Sequence, residues 1–168
     1  MRVAVTGTPG TGKTTASDLV DSDLEVIHLN DVIKTEGFDR GRDAERDTLI
    51  ADMDAVADWL GVRDDVLVES HLAHHLPADR VVVLRCHPEE LERRLGERGE
   101  SAETAAENAE SEALDLILSE AVADHGLESV YEIDATERSP ESIAAEIEAV
   151  IAGEREPSAG EVSYLEYL

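Results

Sequence analysis

The chain has 168 residues, enough for one domain with its own core, and 42% hydrophobic against 3% aromatic residues predict a core of Val, Leu, Ile and Ala. With a net charge of −26, no direct nucleic-acid binding by the chain alone is expected, since phosphate contacts need a basic patch and none is visible. No apolar run approaches a membrane span, no secretory leader precedes the first strand, and the single Cys86, a small core residue by its setting, excludes an internal disulfide; the expected location is cytoplasmic.

The acid is spread along the whole chain. That pattern fits solvated faces in a salt-rich cytoplasm, where a Debye length of about 3 Å hides like-charge repulsion. The rival reading is an acidic surface for basic partners. There are only two lysines, Lys13 and Lys34, among the 14 basic residues.

Residues 2–6 read as a first strand. Behind it stands Gly7-Thr8-Pro9-Gly10-Thr11-Gly12-Lys13-Thr14, a complete G-x-x-x-x-G-K-[ST] loop, with a helix predicted over 13–21. Such a loop cradles phosphates with its backbone N–H groups at a helix N-terminus. Lys13 is expected to reach the β- and γ-phosphates and Thr14 to ligate Mg²⁺. A lysine kept in a lysine-poor chain supports that reading, because a compact ammonium is wanted there.

Residues 24–28 form a second short strand, and a helical patch begins at Asn30 and is interrupted near Gly37 and Gly41. Helical spacing runs from Thr48 to Leu60, with Leu49, Met53, Val56, Ala57 and Leu60 on one face. Residues 66–68 and 81–84 are the third and fourth strands. Pro88 to Leu95 is a helix with proline near its first position. One long helix is predicted from Ser101 to about Asp124. Residues 129–133 are a fifth strand, and Ser139-Pro140-Glu141 opens a last helix. The alternation predicts an α/β fold, a five-stranded parallel sheet with helices on both faces. The apolar end, Val162 to Leu168, is expected to pack back or meet a partner.

The third strand ends in Val68-Glu69-Ser70-His71. An acid at such a strand tip is placed to orient Mg²⁺, and His71 to position a nucleophile or shuttle a proton. His71, His74 and His75 raise a zinc reading, disfavoured because Pro77 follows closely and no second ligand cluster is evident. His28 and His125 carry no strong signal. Arg93, Arg94 and Arg98 cluster near a candidate lid. Arg93 reads as a surface partner of nearby glutamates, whereas Arg98, beside Gly99 at a helix junction, reads as a phosphate-facing cation. Residues 28–51 are the candidate acceptor site.

Neither lysine lies in the Asn/Thr-Lys-x-Asp element of guanine readers, which disfavours a GTPase switch. The loop through Thr15, Leu29-Asn30-Asp31-Val32-Ile33-Lys34, Glu69-x-His71, and Glu97-Arg98-Gly99 with Glu107–Glu112 together resemble the adenylate kinase isoenzyme 6 family over nearly the whole chain. That family's usual aspartate is Glu69 here. The resemblance implies a single P-loop kinase domain over 1–168, nucleoside monophosphate kinase-like, with a short lid over 97–107. It implies ATP + AMP ⇌ 2 ADP with Mg²⁺, ATPase activity, and a role in small-subunit rRNA maturation beside a small-subunit ribosomal platform protein. By the same carry-over Gly10, Gly12, Lys13, Thr14, Thr15, Arg98 and Arg138 meet ATP. Asn30, Asp31 and Lys34 belong to an AMP region over 28–51. Lys13, Arg98, His71 and Glu69 are then catalytic, and Thr14 with Glu69 hold the metal. The other reading is an ATP-driven assembly factor whose kinase activity is incidental.

Overall fold

The computed structural model describes residues 1–45 and 48–168. Arg46 and Asp47, inside the expected acceptor region, lie outside the described residues. Strands β1 (Arg2–Gly7), β2 (Glu25–His28), β5 (Val66–Glu69), β6 (Arg80–Arg85) and β7 (Val130–Asp134) form one sheet in the order β2-β5-β1-β6-β7. Every pairing in it is parallel. The strand carrying the glycine-rich loop is therefore central, and all five strands end on one edge.

The strands are continuously apolar because both faces are covered. Alternate residues enter different clusters. Val3, Val5, Leu67, Val82, Leu84 and Ile133 pack with Ala16 of α1 (Lys13–Asp18) and Ile143, Ile147 and Val150 of α7 (Pro140–Ile151). Ala4, Val66, Val68, Val81, Val83 and Val130 pack on α2 (Leu29–Glu36), α3 (Met53–Leu60) and α6 (Leu116–His125). Helices α4 (Pro88–Glu97) and α5 (Ala102–Ala113) close a smaller cluster of Cys86, Leu91, Leu95 and Ala105.

Several expectations are corrected. The first helix ends at Asp18 rather than residue 21. Residues 48–51 are not helical: β4 (Thr48–Ala51) pairs antiparallel with β3 (Asp39–Asp43), and α3 begins only at Met53. Side-chain burial along β4 alternates, as strand geometry requires, and Asp52 caps α3 by accepting from Ala55 N at 3.2 Å. The long helix from Ser101 is two. Ser101 does cap α5, accepting from Thr104 N at 3.1 Å, but the chain breaks at Leu114–Asp115, where Asp115 adopts φ 55°. No glycine or proline marks the break. Its cause is tertiary: Asp115 Oδ1 sits 2.5 Å from a guanidinium nitrogen of fully buried Arg85.

Arg85 organises the interior beside the loop. Its Nε lies 3.1 Å from Glu112 Oε1 and another nitrogen 2.9 Å from Glu132 Oε2. Glu132 in turn accepts from Glu161 N at 2.8 Å and from Gly160 N. Ser158 N donates to Val130 O at 3.1 Å, and Tyr164 O–H to Asp134 at 2.9 Å. The C-terminal segment thus packs back on the sheet, one of the two fates expected of it.

Candidate active site

The loop geometry follows from its glycines. Gly7 closes β1 at φ 146°, where a Cβ would stand 2.6 Å from Leu84 O. Gly10, at φ 93°, lets the loop lie against Leu91 and Leu95 of α4, whose atoms would stand 3.0 Å from any Cβ. Thr11 Oγ1 donates to Thr8 O at 2.9 Å and folds the turn on itself. Lys13 is buried across it, Nζ donating to Gly7 O at 2.9 Å and Thr8 O at 3.2 Å. Burial lowers its pKa to about 8; Glu69 and Glu112 oppose that, and nearby Arg98 adds to it.

Glu69 ends β5 beside β1 and is 5% exposed. Its Oε1 accepts from Thr14 Oγ1 at 3.2 Å. Its other oxygen meets His28 Nδ1 at 2.6 Å, and His28 Nε2 meets Asp18 Oδ1 at 2.7 Å. Burial pulls the His28 pKa down, but the two carboxylates outweigh it and hold the imidazole above its ordinary value. Sequence reasoning missed His28. The signal was the sheet order: β2 neighbours β5, and His28 pairs in register with Glu69.

His71 lies two residues beyond Glu69. Burial, with Lys13, His74 and His75 adding charge repulsion, lowers its pKa to about 4. It is therefore neutral at physiological pH, unlike the near-neutral titrating group expected from an unperturbed histidine. Asn30 Oδ1 accepts from Ser70 Oγ at 2.8 Å, which ties the start of α2 to this turn. Asp31 and Lys34 are exposed on α2, as are Thr14 and Thr15 on α1.

On the opposite side, Arg98 caps the C-terminal end of α4, exposed, next to Gly99 at φ 90°. Arg93 pairs with Glu90 at 2.7 Å and Glu97 at 2.5 Å, the surface role expected of it. Arg94, the third arginine of the cluster, reaches inward. Its two terminal nitrogens lie 3.4 Å from Gly10 O and 3.3 Å from Ala135 O, bridging the loop and the end of β7. Arg138 is turned along α7, bonded to Glu146 and, at 2.6 Å, to Ser142 Oγ. Thr8 Oγ1 approaches Glu112 Oε1 at 3.4 Å, linking the loop to the Arg85 cluster. Cys86 is fully buried and burial lifts its thiol pKa to about 11, consistent with a core residue. Among the described residues no helix is long and apolar enough to cross a membrane.

A glycine-rich phosphate loop on the central strand of this sheet, with an acid at the neighbouring strand tip, defines the P-loop class of α/β proteins. Residues 3–115 match the family described as AAA domain. The chain is 66% identical to the "Putative adenylate kinase" of Natronomonas pharaonis over 100% of both chains. It is 62% identical to the protein of the same name from Halobacterium salinarum, again over 100% of each. The chain belongs to this archaeal adenylate kinase family. Solved structures of similar fold include shikimate kinases. The Bacteroides thetaiotaomicron enzyme matches at TM-score 0.60 and 16% identity, covering 90% of this chain and 98% of that one. The Aquifex aeolicus enzyme matches at 0.55 and 17%, covering 91% and 97%.

Proposed function

We propose that the chain is an adenylate kinase of the isoenzyme 6 type, catalysing reversible transfer of the γ-phosphoryl group of ATP to AMP. The observation that carries the reading is the meeting of buried Lys13 and the Thr14–Glu69 pair at one loop, all at the carboxyl edge of the sheet. The family's name, carried by relatives matched over their whole length, supports the choice of acceptor.

In the reaction the P–O bond between the γ-phosphorus and the ADP oxygen breaks as an oxygen of the AMP phosphate bonds to that phosphorus. The loop N–H groups from Thr8 to Thr15 bind the polyphosphate. Its negative charge favours the full ammonium on Lys13, whose pKa burial, against the opposing pull of Glu69 and Glu112, holds down at about 8. Lys13 and Arg98 stabilise charge developing on the equatorial oxygens. Thr14 Oγ1 and Glu69 Oε1, 3.2 Å apart, are hard oxygen donors that suit Mg²⁺. When bound, that ion supplies charge neutralisation at the β- and γ-phosphates. His71, neutral and two residues beyond Glu69, is assigned to position the attacking phosphate oxygen of AMP. Residues 28–51, with Asn30, Asp31 and Lys34, form the AMP side. Residues 97–107 form the lid, and Arg94, Arg98 and the Arg138 region flank ATP.

The test is ADP formation from ATP and AMP in molar KCl with Mg²⁺. Lys13→Ala is expected to lower turnover by about 10²–10³-fold or more with the fold intact. Near-normal turnover by the folded variant refutes the mechanism. A second reading, an ATPase that assists small-subunit rRNA maturation beside a basic ribosomal platform protein, is favoured by two features. The net charge is −26, and only the short turn 98–101 separates α4 from α5 to exclude water. ATP consumption stimulated by that partner, with AMP inert, would select it.

A further inference from the structure

The turn after β5 and the last turns of α6 bring together side chains that phosphoryl transfer does not use. His74 is 1% exposed, and its Nε2 lies 2.7 Å from Glu120 Oε2. His75 Nε2 lies 3.6 Å from the same oxygen. One ligand atom from each of His74, His75 and Glu120 falls within 4.8 Å of the other two. The outward nitrogens are engaged too: His74 Nδ1 is 2.8 Å from Thr6 Oγ1, and His75 Nδ1 is 3.4 Å from Asp124 Oδ2. Glu120 and Asp124 are one turn apart on α6. They are the second cluster that the sequence did not reveal.

A metal-bound imidazole gives one nitrogen to the ion and its other N–H to an oxygen. His74 already divides its nitrogens in this way, and His75 places Nδ1 3.4 Å from Asp124 Oδ2 and Nε2 towards Glu120. Hydrogen bonding accounts for His74 alone, because 3.6 Å is too long for a bond from His75 to Glu120. Around zinc, with bonds of ~2.0–2.2 Å to nitrogen and oxygen, tetrahedral ligand atoms stand roughly 3.3 Å apart. The His75 separation fits, and the His74 contact needs to open by about half an ångström, a small movement for the half-exposed Glu120 side chain.

We propose that His74 Nε2, His75 Nε2 and Glu120 bind one divalent transition ion of the zinc class, with water in the fourth position. Asp124 and Thr6 orient the two rings. Mixed imidazole and carboxylate donors select such an ion over Mg²⁺, which suits the oxygens of Thr14 and Glu69. Thr6 directly precedes Gly7, so the ion ties α6 and the 73–75 turn to the base of the phosphate loop.

The test uses the full chain, stripped with chelator, in molar KCl without nucleotide. It is titrated with Co²⁺ and then with Zn²⁺ against a chromophoric chelator. One equivalent should bind, with the visible absorption of four-coordinate Co²⁺, and Zn²⁺ should raise the urea midpoint. His75→Ala and Glu120→Gln should abolish the absorption and the midpoint shift. Asp124→Asn should weaken binding about 10–100-fold, and Glu69→Gln should leave it unchanged. Weak multi-equivalent binding by the wild type overturns the proposal. So does uptake undiminished in folded His75→Ala and Glu120→Gln, or loss of uptake in Glu69→Gln. If the first two variants do not fold, unchanged affinity in Asp124→Asn overturns it alone.

Discussion

Arg85→Met tests how the interior beside the phosphate loop is held. The guanidinium is fully buried among Glu112, Asp115 and Glu132, and the two glutamates are themselves 3% and 2% exposed. Burial works against the Arg85 charge, but the facing carboxylates outweigh it and hold its pKa up. Burial also raises the Glu112 pKa, with Arg85 opposing it. Methionine fills much of the volume but leaves the two glutamates buried without a cation. Removing one partner of a buried ion cluster costs about 3–5 kcal/mol. At roughly 2–4 °C per kcal/mol for a chain of this size, the thermal midpoint should fall by about 6–20 °C. Two features separate this from a general charge effect. The deficit should persist in molar KCl, because buried charges are poorly screened. It should also shrink as pH falls from 7 towards 5. In the variant Glu112 loses the arginine that opposes its burial, so its folded-state pKa stands further above its unfolded value and lower pH relieves the penalty. The assay is thermal and urea unfolding by circular dichroism in molar KCl at several pH values. A loss below about 1 kcal/mol, or one that grows on acidification, would refute the reasoning.

His28→Ala should raise the Mg²⁺ concentration for half-maximal ADP formation by about 10-fold while the rate at saturating Mg²⁺ changes little, because Glu69 loses its second anchor. An unaltered Mg²⁺ dependence would show that His28 only packs. His71 has a folded pKa of about 4 against 6.5 unfolded, so the unfolded chain binds more protons between those values and stability falls as pH drops through that window. The contribution lost is up to about 3 kcal/mol, and His71→Asn should flatten that part of the urea-midpoint profile; superimposable profiles count against it. Removal of KCl should lower the thermal midpoint, since like charges then repel across the surface. A midpoint indifferent to salt would leave the acidic composition to a role in partner binding.

Local signals made much of this molecule readable. The phosphate loop, the five apolar strands, the Ser101 and Ser139 caps and the proline-started helices all depend on neighbours in sequence. What escaped depends on partners far along the chain. Leu49 lies on a plausible helical face until β3 pairs with β4. The break at Asp115 is imposed by an arginine 30 residues away. His28 acquires its partner through strand order, and His74 and His75 acquire theirs from a helix 46 residues further on. Arg94 and Arg93 are adjacent and chemically identical. Only the packing of α4 against the loop turns one inward and leaves the other in solvent.

The scarcity of lysine has a practical corollary. The molecule offers three primary amines to an acylating reagent: the terminal amine of Met1, Lys34 on the surface of α2, and Lys13. Met1 is paired with Asp64 and Asp65, which hold its proton more tightly than usual. Lys13 gives up its proton near pH 8 but is shielded by the turn that surrounds it. Labelling by mass therefore reads almost site by site, and the reactivity of a single nitrogen reports how open the phosphate grip is.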